Sequence, residues 1–147
     1  MPDSSINATR ADPCRILVIH DDLGFQSAFW RVAASAGHVV TALTAGRTAV
    51  EVARRLFPDL VLLNLDLRGP PGRDGRDILA ALKADPGTVH IPVLAYRQRA
   101  QGFDKRHALE LGAEDLLPHP MDPDAVIAKI ERVVLRTSSG KFRTSHE

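Results

Sequence analysis

The sequence has little of what marks secreted, membrane or nucleic-acid-binding proteins. It contains one cysteine in 147 residues, so no internal disulfide can form. No run approaches the ~20 apolar residues of a membrane-spanning helix, and the polar N-terminus lacks the apolar core of a signal peptide. With 19 basic and 18 acidic residues, the chain also lacks the basic excess of DNA-binding domains. We therefore predict a cytoplasmic protein that binds neither nucleic acid nor membranes.

The overall composition is that of one globular domain. Hydrophobic residues make up 44% of the chain and charged residues 25%, and the length is sufficient to bury a substantial core. The segments 1–13 and 137–147 are polar and show no periodicity. We expect them to be flexible arms on either side of a domain over 14–136, with Phe142 in the second arm exposed to solvent.

Between the arms, short apolar runs alternate with segments of helical periodicity. The runs predict five strands, at Arg15–Ile19, His38–Leu43, Asp59–Leu63, Ile91–Tyr96 and Asp115–Leu117. Apolar residues at helical spacing follow each strand, and the last helix has the clearest start, because Asp122 can cap it and Pro123 suits its first turn. This alternation predicts an α/β fold: a doubly wound, five-stranded parallel sheet in the flavodoxin-like order 2-1-3-4-5.

Polar residues follow the strands of this predicted sheet. In such sheets, ligands bind beyond the carboxyl ends of the strands where the strand order reverses, here between the first and third strands. The candidate site residues are therefore those at or just after the strand ends: His20, Asp21, Asp22, Asn64, Asp66, Arg97 and His119.

At these positions the sequence resembles bacterial response-regulator receiver domains, over about residues 15–136. The matching segments are RILVIHDD, FPDLVLLNLDL, DGRDILAALKADP, IPVLAY and LGAEDLLPHP. The string from Asp74 to Tyr96 looks most like the small single-domain regulators that work with phytochrome-type kinases. The resemblance implies a (βα)5 receiver fold in a two-component phosphorelay, with a histidine kinase or another signalling protein as partner.

Phosphotransfer in this family needs an acidic pair after the first strand to hold Mg²⁺ and an Asp at the end of the third strand to accept the phosphoryl group. Here His20 stands where the first acid is expected, whereas Asp21 keeps the second. Asn64 stands at the phosphoacceptor position. An amide is a poor nucleophile and brings no negative charge to a cation site. The resemblance therefore implies a degenerate receiver, or pseudo-receiver.

Two further positions depart from the family pattern. Arg97 replaces the small hydroxyl residue after the fourth strand, and His119 replaces the lysine after the fifth. Pro120 keeps its place, and in the family the peptide bond before this proline is cis. The acids that remain in the pocket are Asp21, Asp22 and Asp66. Mg²⁺ binding is weakened, and it would use Asp21 and Asp66.

Three functions remain open. The first is a non-enzymatic interaction module that works without phosphorylation. The second is a phosphoacceptor receiver that uses Asp66 with Mg²⁺, since the spacing back from Asp74 is closer to family length if Asp66 is the acceptor. If Asn64 is the equivalent position, the loop Arg68–Gly75 carries extra residues beside the site. The third is a metal or small-ligand sensor, in which His20, Asp21 and His119 would bind Zn²⁺, Fe²⁺ or Ni²⁺.

A few residues outside the strand ends are candidates for protein contacts. Trp30 lies off the main apolar stripe of the first helix, so it is either an exposed interface anchor or partly buried against a neighbour. Phe103 and Leu109 border the face of the fourth and fifth helices, through which a homodimer could form, although Leu109 is expected in the core. Arg97 either pairs with Asp21 or Asp66 or is solvated.

Overall fold

The computed structural model describes residues 12–70, 72–97 and 105–145, with side chains up to Thr137. It contains a five-stranded parallel sheet with the strand order β2-β1-β3-β4-β5. The strands are β1 (Arg15–Ile19), β2 (Val39–Leu43), β3 (Leu60–Asn64), β4 (Val93–Tyr96) and β5 (Asp115–Leu117). The predicted fold class and strand order are therefore confirmed.

A helix follows each strand. These helices are α1 (Leu23–Ser35), α2 (Ala49–Leu56), α3 (Gly75–Ala84), α4 (Lys105–Glu110) and α5 (Pro123–Ser145). The last helix runs well past Arg136, into the segment predicted as a flexible tail. The segment 137–145 contains no proline that would interrupt the helix. The domain limits themselves stay predictions.

The sheet separates two apolar cores. Alternate strand residues face α2, α3 and α4 on one side, where Leu63 and Leu79 are completely buried. The others face α1 and α5 on the other side, where Phe29 and Ile130 are completely buried. Such burial on both faces explains why β1 and β3 are almost entirely apolar in sequence. Polar side chains that could form a site are therefore found at the ends of the strands.

Helix caps set where the chain turns back onto the sheet. The carboxylate of Asp22 accepts hydrogen bonds from the backbone N–H groups of Gly24 and Phe25, which starts α1 directly after β1. Asp74 and Asp77 form a reciprocal capping box at the start of α3. The α2 helix ends at Phe57, which has a φ of 51°, a left-handed conformation that is rare for a bulky residue.

Two buried groups fix the lower edge of the sheet, where the strands begin. The side chain of His38 is fully buried; its Nδ1 accepts a hydrogen bond from the backbone N–H of Cys14, and its Nε2 lies 2.7 Å from Oε2 of Glu131 on α5. Burial raises the pKa of the Cys14 thiol to about 11, and nearby carboxylates add to the shift. This cysteine therefore stays protonated and unreactive at neutral pH.

Residues proposed for protein contacts have mixed outcomes. Trp30 is 56% exposed, which agrees with the interface alternative rather than with burial. The expectation that Leu109 lies in the core is wrong, because it is 42% exposed and its neighbour Ala108 fills the buried position of the short α4 instead. Phe103 and the side chain of Phe142 lie outside the described residues. In the part of the chain that is described, no helix is long and apolar enough to cross a membrane.

Candidate functional site

Strand register brings most of the candidate residues to one edge of the sheet. Ile19 of β1 is level with Leu63 of β3, so His20 and Asn64 follow at the same height. Asn64 is in turn level with Tyr96 of β4. Because these positions lie at the carboxyl ends of adjacent parallel strands, the side chains around the switch point are within reach of one another.

Asn64 is held by hydrogen bonds on both halves of its amide. Its Nδ2 donates to Oδ1 of Asp21 over 3.1 Å, and its Oδ1 accepts from the backbone N–H of Asp66 over 2.9 Å. The residue is only 5% exposed. An amide supplies a donor and an acceptor at once, which a carboxylate cannot do, so these contacts suit asparagine specifically.

The carboxylate of Asp66 faces a fixed positive charge. Its Oδ1 lies 3.7 Å from Nε of Arg97, and both side chains are mostly buried, with exposures of 26% and 19%. Of the alternatives for Arg97, the structure therefore shows the ion pair with Asp66. A guanidinium remains charged at any physiological pH, so this pair places a permanent cation beside the acid.

Asp22 does not join the pocket. Its carboxylate is occupied as the cap of α1, and its backbone N–H donates a 3.0 Å hydrogen bond to Nδ1 of His20. Asp21 does line the pocket, although its side chain is 56% exposed. The acidic pair that follows β1 is therefore split between a helix cap and the bond to Asn64.

The ring of His20 stacks on aromatic side chains, and its Nδ1 also lies 3.6 Å from Oδ1 of Asp21. Its ring is stacked on Phe25 at a centroid distance of 4.7 Å and on Tyr96 at 5.5 Å. Burial lowers the pKa of His20, against the opposing effect of Asp21, Asp22 and Asp66. The ring is therefore neutral at physiological pH, with Nδ1 as the acceptor and the proton on Nε2.

The stack continues on both sides of His20. Phe25 contacts Phe29 in the core at a centroid distance of 5.7 Å, and Tyr96 contacts His119 at 5.9 Å. The hydroxyl of Tyr96 is hydrogen-bonded to Nδ1 of His119. His119 is exposed, and the peptide bond between it and Pro120 is cis.

These residues do not fit a divalent cation site. Mg²⁺ prefers several oxygen ligands with a net negative charge. Here one acid has become His20, Asp21 is engaged by the amide of Asn64, and the carboxylate of Asp66 faces Arg97. Nor are His20, Asp21 and His119 brought together as a transition-metal site. Among the residues described, no group of three or more His, Cys, Asp and Glu side chains is placed to hold a metal ion.

Sequence reasoning missed Tyr96, Phe25 and Gln26. Tyr96 was assigned only as the last residue of a strand, but it contacts both histidines of the site. The side-chain amide of Gln26 donates to the backbone carbonyls of His20 and Leu43, tying the ends of β1 and β2 together. The signal available for Tyr96 is an aromatic residue at the end of β4, the strand next to β3.

A separate apolar groove lies between α1 and the edge strand β2. It has a volume of about 550 Å³ and is lined by Leu23, Trp30, Val40 and Ala42, among others. Leu23 is 66% exposed and Trp30 is 56% exposed. The solvent-facing side of α1 therefore carries large apolar side chains next to an apolar groove, as binding surfaces often do.

Comparison with known proteins gives a consistent result. The family model for the response regulator receiver domain matches residues 16–131. The DNA-binding response regulator MtrA of Mycobacterium tuberculosis is 33% identical over 116 residues, covering 79% of this chain and 48% of MtrA. The response regulator PleD of Caulobacter vibrioides is 35% identical over 117 residues, covering 79% of this chain and 25% of PleD. The chain thus spans about half the length of MtrA and a quarter of that of PleD.

A solved structure agrees with these relatives. The crystal structure of a response regulator from Desulfuromonas acetoxidans matches with a TM-score of 0.73 and 26% identity, covering 82% of this chain and 96% of that one. The chain belongs to the response regulator receiver domain family.

Proposed function

We propose that this receiver domain signals through protein contacts and is not itself phosphorylated. The observation that carries the proposal is the amide of Asn64, which donates to Asp21 and accepts from the backbone of Asp66. A phosphoryl acceptor at this position must be a free nucleophile beside a cation. Asn64 offers neither, since its nitrogen is not nucleophilic and its neighbours do not fit Mg²⁺. We assign no catalytic residue to the chain.

The ion pair of Arg97 with Asp66 supports the same proposal. In a phosphotransfer pocket, positive charge must be supplied to the incoming phosphoryl group at the moment of transfer. Here a permanent cation already lies 3.7 Å from the acid that remains next to Asn64. The alternative in which Asp66 is the acceptor requires this ion pair to open, so that the carboxylate can attack a phosphoryl group.

Partners are proposed from the exposed surface. Trp30 and Leu23 are large apolar side chains on the accessible side of α1, and aromatic residues of this kind dominate binding energy at protein interfaces. We propose that this surface binds a histidine kinase or another signalling protein. We propose a phytochrome-type kinase as the first partner to test, on the sequence resemblance of residues 74–96 alone.

A homodimer through the face of α4, β5 and α5 is the second interaction proposed. Asp115 of β5 lies at the centre of this face and is bound within the chain by Lys129 at 2.7 Å and by Lys105 at 3.4 Å. Leu109 adds an exposed apolar side chain to the same region. Sedimentation equilibrium of the wild type and of Leu109→Lys tests the dimer, and a wild type that stays monomeric at high concentration rules it out.

Phosphorylation is tested by intact-protein mass spectrometry after incubation with acetyl phosphate and Mg²⁺. We expect the wild type and Asp66→Ala to gain no phosphoryl group, while a conventional receiver domain in the same reaction is labelled. Labelling of the wild type that Asp66→Ala abolishes would identify Asp66 as the acceptor and overturn the proposal. If the variant Asn64→Asp gains a phosphoryl group in this reaction, the pocket lacks only its nucleophile.

A further inference from the structure

The connection between β5 and α5 has few backbone donors of its own. Residues 118–121 read Pro-His-Pro-Met, and the two prolines have no N–H group. The strand that precedes them, β5, is three residues long and is paired on one side only, with β4. Because few backbone hydrogen bonds can hold these residues, side-chain contacts are needed to fix their position.

Tyr96 and His119 supply such a contact. Tyr96 is the last residue of β4, and its hydroxyl lies 2.5 Å from Nδ1 of His119. Burial raises the pKa of Tyr96, with smaller contributions from Asp66 and Asp22, so the phenol keeps its proton. The hydroxyl accordingly donates, and Nδ1 of His119 accepts.

The other end of this contact is rigid. Tyr96 is 6% exposed, and its ring stacks on His20, which in turn stacks on Phe25. Its backbone carbonyl also accepts a 2.7 Å hydrogen bond from the N–H of Leu65. The phenol is therefore fixed to β3, β4 and α1 before it reaches His119.

We propose that the Tyr96–His119 hydrogen bond is a latch that holds the β5–α5 connection against β4, ahead of the Asp122 cap at which α5 begins. The latch gives the β5–α5 surface one conformation, whichever partner binds there. Both residues act by positioning this connection. The inference depends only on these contacts, and it holds whether or not the chain accepts a phosphoryl group.

The variant Tyr96→Phe tests the latch, because it removes the hydroxyl and keeps the stacked ring. Backbone ¹⁵N relaxation of His119, Met121 and Asp122 is the measurement. We expect order parameters near 0.85 in the wild type to fall below about 0.6 in Tyr96→Phe and in His119→Ala. The double variant should be no more mobile than either single variant, because both remove the same bond.

Two further variants separate a latch from a general loss of stability. His119→Asn keeps a side-chain acceptor near the position of Nδ1, and we expect it to retain the rigid connection. Thr88→Val removes a buried hydroxyl that donates to the carbonyl of Leu82, far from the latch, and it should lower stability without loosening residues 119–122. The latch is refuted if Tyr96→Phe leaves the order parameters unchanged, or if Thr88→Val lowers them equally.

Discussion

The side-chain amide of Asn64 donates a 3.1 Å hydrogen bond to the carboxylate of Asp21. A carboxylate at position 64 would place two acidic oxygens at that distance, with no proton between them at neutral pH. The amide of Asn64, a residue that is 5% exposed, instead gives the Asp21 carboxylate a hydrogen-bond donor.

Replacing this amide by a carboxylate should destabilise the fold in a pH-dependent way. In Asn64→Asp the two carboxylates repel at neutral pH, and the cost is relieved on acidification, when they can share a proton. We expect a loss of about 1–2 kcal/mol at pH 7.5 and a smaller loss near pH 4.5. Urea denaturation of both proteins at the two pH values measures the difference. Asn64→Ala is the control, and its loss in free energy of unfolding relative to the wild type should be the same at both pH values.

Acidification should weaken the wild type through His20. Burial lowers its pKa in the folded protein, so the unfolded chain binds the proton more readily. Stability due to the neutral ring is therefore fully present above the ordinary histidine pKa of about 6.5, and it is lost as pH falls below that value. The variant His20→Asn keeps an acceptor for the N–H of Asp22 and removes the titration. A wild type and variant with parallel stability curves between pH 7.5 and 5 would contradict this.

Phe57 offers a stabilising substitution. Its φ of 51° is left-handed and its side chain is 67% exposed, so the ring contributes little packing to offset the backbone strain. We expect Phe57→Gly to raise the free energy of unfolding by about 0.5–1 kcal/mol. Phe57→Ala removes the ring but keeps Cβ, and should give no such gain. Thermal unfolding measures both variants. Equal changes in their stability would show that the effect comes from loss of the ring and not from relief of backbone strain.

Glu131 should matter more for stability than a surface acid normally does. It is bonded to Nε2 of His38, whose side chain is completely buried. The variant Glu131→Ala leaves a buried ring N–H without its partner, and we expect a loss of about 1–3 kcal/mol. Glu131→Gln retains an acceptor oxygen and should lose less. Chemical denaturation at pH 7.5 measures both, and equal losses would mean that the hydrogen bond is not the source.

The sheet could be predicted because its strands are buried on both faces. Leu60–Leu63 and Arg15–Ile19 read as continuous apolar runs, which single out central parallel strands without knowledge of their partners. The order 2-1-3-4-5 is the doubly wound arrangement that fits five strand–helix pairs in a chain of this length. This also placed Asn64 at the edge of the sheet, because it is the first polar residue after an apolar run.

The contacts within the candidate site could not be predicted in the same way. Residue spacing shows that His20 follows β1, but not the orientation of its ring, which stacks on Phe25 with Nδ1 3.6 Å from Oδ1 of Asp21. That choice depends on Phe25 and Tyr96, which come from α1 and β4 and meet only in the folded protein. Leu109 illustrates the same limit, since its exposure results from how few residues α4 presents to the sheet.

Gly75 has a practical consequence for engineering this domain. A Cβ atom on this residue would lie 2.5–2.6 Å from the backbone of Leu65, and its N–H donates a 2.9 Å hydrogen bond to the carbonyl of Leu67. The two ends of the intervening loop are thereby joined to each other, independently of what lies between them. Doubling the length of such a closed loop costs only about 0.6 kcal/mol in entropy. We therefore expect a short peptide tag inserted between Leu67 and Gly75 to cost little stability.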